Sequence, residues 1–234
     1  MKGVDKRPSV IGRMFDRIAP TYDLTNRVLS CSLDQLWRRK AIDALAIADG
    51  DLILDVATGT GDMAVPAARG GGRVVGIDLS RQMLLHASFK GGTYGLAGRY
   101  AVVQGDALVM PFRDDTFSSA MVAFGIRNMH NLEVFLAEMH RVLNKGGRFS
   151  VLEFSLPECP FFRWIYAVYL TYVVPCAGGL ISGDYDTYGY LRDSIAGFPV
   201  PAALEEIMTR QGFRIVRSSA IFGGVSHLYV LQKE

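Results

Sequence analysis

Asp55, Gly59, Thr60, Gly61 and Asp78 carry the spacing of a nucleoside site. They belong to the run Leu52-Ile53-Leu54-Asp55-Val56-Ala57-Thr58-Gly59-Thr60-Gly61-Asp62 and, after a helix-length gap, to Val74-Val75-Gly76-Ile77-Asp78. A buried strand runs into a loop whose glycines lack Cβ and let backbone lie against a ligand. An acidic residue ends the next strand, where it can accept from a ribose diol. The loop lacks the third glycine of the dinucleotide fingerprint, because the residue three places past Gly61 is Ala64. Asp55 and Asp62 also place carboxylates where a pyrophosphate would be repelled. A cationic nucleoside suits this floor better. S-adenosylmethionine, with a sulfonium, an ammonium and no phosphate, is the expected cofactor.

The elements that must hold these residues follow from the apolar period, which switches between two and 3.6 along the chain. Strands are expected at 52–56, 73–77, 99–104, 118–124, 147–154, 212–218 and 225–232. Helices are expected at Asp62 to Arg69, Ser80 to Phe89 with a capping serine, Leu132 to Leu143, and Pro201 to Arg210. Asn144-Lys145-Gly146-Gly147 reads as a left-handed cap on the third of these. Alternating strands and helices predict an α/β fold, a mostly parallel seven-stranded sheet with helices on both faces, in one domain spanning 1–234. Two stretches break the alternation. Residues 1–45 precede the first strand and are expected to form a helical lid. Residues 156–199 are longer than a sheet connection requires and are expected to bind substrate. Within them, Phe161 to Val174 is almost wholly apolar, reads as too short to span a membrane, and is expected to end at Pro175. Period alone leaves it open between a buried core helix and one facing lipid or quinone.

Composition narrows the partners. The net charge of +2, with no concentrated basic run, argues against nucleic acid. Cys31, Cys159 and Cys176 are scattered without a C-x-x-C pair, which fits a reducing compartment and no metal site. The polar start, Met1 to Pro8, leads into no apolar signal core, so a cytoplasmic location is expected.

Further blocks carry a family resemblance: Met14 to Asp23 with Asn26 and Leu29-Ser30, then Trp37-Arg38-Arg39, Phe124-Gly125-Ile126-Arg127-Asn128, Arg141 to Gly147, Leu152-Glu153-Phe154-Ser155 and Tyr188 to Pro199. In that order they resemble the methyltransferases of menaquinone and ubiquinone biosynthesis, over nearly the whole chain. The resemblance implies a class I S-adenosylmethionine-dependent methyltransferase fold with Rossmann-like topology. It also implies C-methylation of a prenylated quinol ring, and cofactor contacts at Thr60, Asp78 and Asp106-Ala107. Two departures stand out. Ala123 occupies a position where the family commonly has serine, and Asp106 one where asparagine is frequent.

Methyl transfer to a ring carbon needs alignment, exclusion of water and electron density on that carbon. Arg127 is expected to hold the phenolate of an ionised quinol, with a structural salt bridge as the alternative. Asn128 is expected to orient the ring oxygen or a water. Tyr22, with Asp23, is expected to close over the site, the alternative being a core tyrosine. His130 reads as a capping or exposed residue, Tyr185, Tyr188 and Tyr190 as candidates for the ring pocket, and Glu153 as facing either the pocket or a loop amide. Peripheral contact with the inner face of a membrane and a homodimer stay open. So do another phenolic or lipid acceptor and a non-catalytic protein that binds prenyl lipid or nucleoside.

Overall fold

Apolar runs too uniform to leave one face in water become the central strands. The computed structural model describes residues 4–234. The strands are β1 Leu52–Val56, β2 Arg73–Asp78, β3 Tyr100–Gln104, β4 Phe117–Ala123, β5 Leu143–Phe154, β6 Phe213–Ile221 and β7 Ser226–Lys233. They form one sheet in the order β3-β2-β1-β4-β5-β7-β6. β1 to β5 pair in parallel, while β7 runs antiparallel between β5 and β6. The register sets Val56 beside Ile77 and Val122, and Ala123 beside Leu152, so the strands finish together at one edge. Strand order reverses between β1 and β4, and at that switch point the carboxyl ends of parallel strands leave a crevice.

The helices are α1 Pro8–Ile18, α2 Tyr22–Ser30, α3 Leu33–Asp43, α4 Ala64–Arg69, α5 Arg81–Thr93, α6 Leu132–Val142, α7 Pro160–Val168, α8 Val174–Ser182, α9 Tyr185–Ala196 and α10 Pro201–Arg210. Ser80 caps α5 as expected, its hydroxyl accepting from the Met83 amide. One core, with Phe117, Phe135, Phe149 and Phe213, packs α6 and α10 onto the sheet. A second, with Trp37, Ile53 and Met121, packs α3 and α4 onto it.

Two local readings are corrected. The helix over 132–142 ends without a left-handed cap: Leu143 is extended (φ −78°, ψ 142°) and already pairs with Phe117. The next matched pair is Ser119 with Arg148, so the intervening residues bulge out of the strand, with Gly146 at φ +76° making the turn. Pro175 does not end its helix. A π-turn over Tyr169–Val173 joins α7 to α8, and Pro175 falls in the first turn of the resumed helix, where its missing N–H costs little.

The joined helix, Pro160–Ser182, has 23 residues and its most apolar 18-residue stretch a mean hydropathy of 1.5, so it is long and apolar enough to cross a membrane by length and composition. It lies along the domain with only 28% of its most apolar stretch buried. Its inner face packs through Tyr166, Leu170 and Val174. At Gly178 and Gly179 the Tyr188 and Tyr185 rings come so close that no Cβ would fit. Phe161, Trp164, Val168, Tyr172 and Leu180 are exposed at helical spacing along the outer face.

Candidate active site

Two cavities meet at the carboxyl edge of the sheet. The smaller, about 60 Å³, is lined by Gly59, Asp78, Asp106, Ala107 and Asn128, among others. Gly59 takes φ +56°, open to glycine, and its amide donates to Asp78 Oδ2 at 2.9 Å, while the Ser80 amide donates to Oδ1 at 2.8 Å. A carboxylate offers about four acceptor positions, so Asp78 keeps capacity for a ribose diol. Asp106 accepts from the Leu108 amide at 2.9 Å and likewise retains a second oxygen. These acceptors and the glycine cradle fit the nucleoside end of S-adenosylmethionine. Phe15, Tyr22 and Phe124 line both cavities and stand between them.

Asp55, Thr60 and Gly61 line neither cavity. Gly61, at φ +83°, lies against Ala87 of α5 and the Tyr100 hydroxyl, which places it in helix packing behind the loop. The Thr60 hydroxyl donates to Asp23 Oδ1. Lys90 then ties Asp23 to Asp62, at 2.7 and 2.6 Å, and pins α2 onto the glycine loop. Asp55 is buried and accepts from the Thr58 hydroxyl at 2.6 Å. Burial pushes its carboxyl up to about 7. Between about pH 4 and 7 the native state therefore keeps a proton that the unfolded chain has released, and stability falls as pH rises through that window. Asp55→Asn should flatten this slope, read as urea midpoints at about pH 5 and about pH 8. A variant with the parent's slope would refute it.

The larger cavity, about 630 Å³, is walled by side chains of α1 to α3 and of α7 to α9, and by Phe124, Arg127 and Phe154 at the sheet edge. The backbone that shapes this edge is unusual. Ala57 after β1 and Phe124 after β4 both have positive φ, +51° and +59°. A Cβ on Gly125 would stand 2.7 Å from that of Ala57, so only glycine lets the two loops touch.

Arg127 is the middle residue of the one-turn helix Ile126–Asn128 and is 6% exposed. Its Nη1 donates to Glu153 Oε1 at 2.8 Å and to the Phe124 carbonyl, and its own amide donates to Glu153 Oε2 at 3.1 Å. The salt bridge weighed as an alternative is thus present. Yet Arg127 also lines the cavity, and its buried Nε has no partner among the described residues. Buried donors are nearly always satisfied, so this nitrogen is an exception at the cavity edge. Glu153 faces both the guanidinium and a loop amide. Asn128 lines the smaller cavity, and its Oδ1 accepts from the Tyr190 hydroxyl of the larger one at 2.9 Å, linking the two. Tyr22 lines both cavities, edge-on to Phe15 with ring centroids 6.1 Å apart, and burial pushes its phenol up.

Tyr188 and Tyr190 line the larger cavity, whereas Tyr185 is exposed and does not. His130 is exposed. Phe15, Phe124 and Arg38 escaped the sequence reading as wall residues. The family blocks contained all three, but nothing in their spacing marks them as facing a ligand.

The ubiE/COQ5 methyltransferase family profile matches residues 2–233 of this chain. The chain belongs to that family. It is 44% identical over 229 residues to the ubiquinone/menaquinone biosynthesis C-methyltransferase of Syntrophotalea carbinolica, covering 97% of this chain and 93% of that protein. It is 43% identical over 219 residues to the demethylmenaquinone methyltransferase of Thermus thermophilus, covering 93% and 98%. Among solved structures, the [4+2]-cyclase SpnF superposes with a TM-score of 0.73 at 15% identity, covering 95% of this chain and 94% of that one. A Thermotoga maritima S-adenosylmethionine-dependent methyltransferase gives 0.66 at 18%, covering 95% and 99%. The fold is that of the class I S-adenosylmethionine-dependent methyltransferases. Together, family and fold make the chain a methyltransferase with S-adenosylmethionine as its cofactor.

Proposed function

We propose that the chain methylates a ring carbon of a prenylated quinol, demethylmenaquinol first and the benzoquinol of ubiquinone synthesis as a second acceptor. The observation that carries this reading is a cavity of about 630 Å³, apolar over most of its wall, with the buried guanidiniums of Arg127 and Arg38 set into that wall. A flat aromatic ring with a long hydrocarbon tail and ionisable oxygens has this chemistry. The relatives' names point the same way.

S-adenosylmethionine supplies an activated methyl group. The chain's residues do the rest. Asp78, Asp106 and Ala107 hold the nucleoside. Phe15, Tyr22 and Phe124, shared by both cavities, bring the ring edge to the donor and exclude water. Arg127 stabilises the phenolate that forms when a quinol hydroxyl loses its proton, which raises electron density on the adjacent carbon. Asn128, held by Tyr190, keeps an amide N–H at the same edge for the ring oxygen or a water.

The acceptor's tail also implies where the protein works. The outer stripe Phe161, Trp164, Val168, Tyr172 and Leu180 lies on the same helix whose inner residues Tyr166 and Leu170 line the cavity. An aromatic-rich face of this kind seats at a bilayer surface, in peripheral contact, with the cavity beside it to receive prenyl chain. Purified protein with S-adenosylmethionine and reduced demethylmenaquinols of short and long tail should yield the ring-methylated product. Trp164→Ser with Tyr172→Ser should lower vesicle binding and turnover of the long-tailed acceptor while sparing the short-tailed one and the melting temperature. Unchanged vesicle binding would refute the membrane contact, and no ring methylation of either acceptor would refute the function.

A further inference from the structure

Arg127 is one of two buried guanidiniums on the wall of the larger cavity; Arg38 of α3, 7% exposed, is the other. Their rings and charges form a continuous stack. The Arg38 guanidinium lies 5.0 Å from the centroid of Phe124, Phe124 stacks on Phe154 at 4.3 Å, and Arg127 lies 5.3 Å from Phe154. The two ends differ in one respect. Arg127 is closed by Glu153 at 2.8 Å. Arg38 has a single long contact, Nε to Asp34 Oδ2 at 3.5 Å, and its terminal nitrogens donate to nothing among the described residues. Asp34 is itself engaged by the Ser30 hydroxyl at 2.8 Å and the Gln35 amide at 3.0 Å.

The position of this open fork is fixed by its neighbours. Burial pushes the Asp62 carboxyl up, but Arg38 and then Lys90 pull it below the usual carboxylate range. The Gln35 amide donates both to Asp34 Oδ2, the partner of Arg38, at 3.0 Å and to Asp62 Oδ2 at 3.4 Å. Asp55 and Asp62 bracket the glycine loop, so Arg38 stands beside the loop and apart from the Asp78 and Asp106 end, whose cavity it does not line. Neither bracketing acid closes on it: Asp55 bonds to Thr58, and Asp62 to Lys90 at 2.6 Å. Within S-adenosylmethionine the one anionic group is the methionine carboxylate, at the opposite end from adenine. Thr60, expected from sequence to serve that end, has its hydroxyl committed to Asp23. A planar guanidinium with both terminal nitrogens free matches a carboxylate in bidentate fashion.

We propose that Arg38 binds the methionine carboxylate of S-adenosylmethionine. This positions the donor end of the cofactor over Phe124, with Arg38 as a cofactor-binding residue and Arg127 serving the acceptor on the far side of the ring stack. The inference rests on the cofactor assignment and not on the identity of the acceptor.

Calorimetric titration with two nucleosides tests it. S-adenosylhomocysteine carries the carboxylate; 5′-methylthioadenosine shares the nucleoside and lacks the amino-acid end. Arg38→Met should weaken S-adenosylhomocysteine about 10- to 100-fold, as for loss of a charge-assisted bidentate pair, and leave methylthioadenosine within about twofold. Arg38→Lys keeps the buried charge beside Asp34 and should show the same selective loss at smaller size, so a failure of the methionine variant to fold leaves the test intact. Equal weakening of both nucleosides, or of neither, would overturn the proposal. A raised acceptor KM with S-adenosylhomocysteine binding intact would overturn it too and assign Arg38 to the ring. Failure of the parent protein to bind either nucleoside would instead strike the cofactor assignment.

Discussion

Arg127→Met should lower the rate of methyl transfer about 10²-fold or more, the loss typical of removing one preorganised donor from a developing oxyanion. The dissociation constant for S-adenosylhomocysteine should hardly change, because Arg127 does not line the cofactor cavity. Arg127→Lys retains a charge near the cavity edge but has neither the fork nor an Nε–H, so it should recover part of the rate. The role predicted for the guanidinium is to favour the ionised quinol. The deficit should therefore shrink as pH rises toward the acceptor's own phenol pKa, where solvent ionises the ring without help. A purely structural arginine gives no such convergence. Single-turnover rates with reduced demethylmenaquinol across pH separate the two: a Met variant that is slow by the same factor at every pH, or as fast as the parent, removes Arg127 from the chemistry.

What could be read in advance, and what could not, divides along a physical line. Gly59, Asp78 and the strand run before them were legible because backbone geometry and strand ends are local demands, written within a few residues of sequence. The sheet followed from period, as did the capping serine of α5. Arg38 was opaque for the opposite reason. In Trp37-Arg38-Arg39 the two arginines look alike, yet Arg39 is exposed and pairs with Asp43 at 3.0 Å, while Arg38 turns under Phe124. Only a residue some eighty positions later in the chain distinguishes them. Phe15 and Phe124 were hidden in the same way, since an apolar residue facing a cavity and one facing the core have the same period. Pro175 misled because a proline normally closes a helix, and the π-turn that accommodates it has no composition signal of its own. Asn144 to Gly147 misled because a helix cap and a strand bulge use glycine for the same conformational freedom.

Removing Glu153 should cost more stability than any other single change at this site. The residue is 1% exposed at the end of β5, and it satisfies the Arg127 guanidinium, the Arg127 amide and the Phe154 amide together. Lys6 adds to the load: burial lowers its ammonium, the Arg127 cation lowers it further, and Glu153 raises it. One buried carboxylate thus answers one buried cation and two backbone donors. Glu153→Ala leaves a buried charge without an anion, a change that typically costs about 3–5 kcal/mol, against a total stability of about 5–15 kcal/mol for a domain. Glu153→Gln keeps an acceptor oxygen of the same reach and should lose less. The double variant Arg127→Met with Glu153→Leu removes both charges and exchanges them for apolar volume, so it should recover part of the stability lost in Glu153→Ala while remaining inactive. Urea unfolding of the three variants measures this. If Glu153→Ala unfolds within about 1 kcal/mol of the parent, the range of an ordinary exposed pair, the carboxylate is not compensating a buried cation, and Arg127 must be solvated from the cavity side instead.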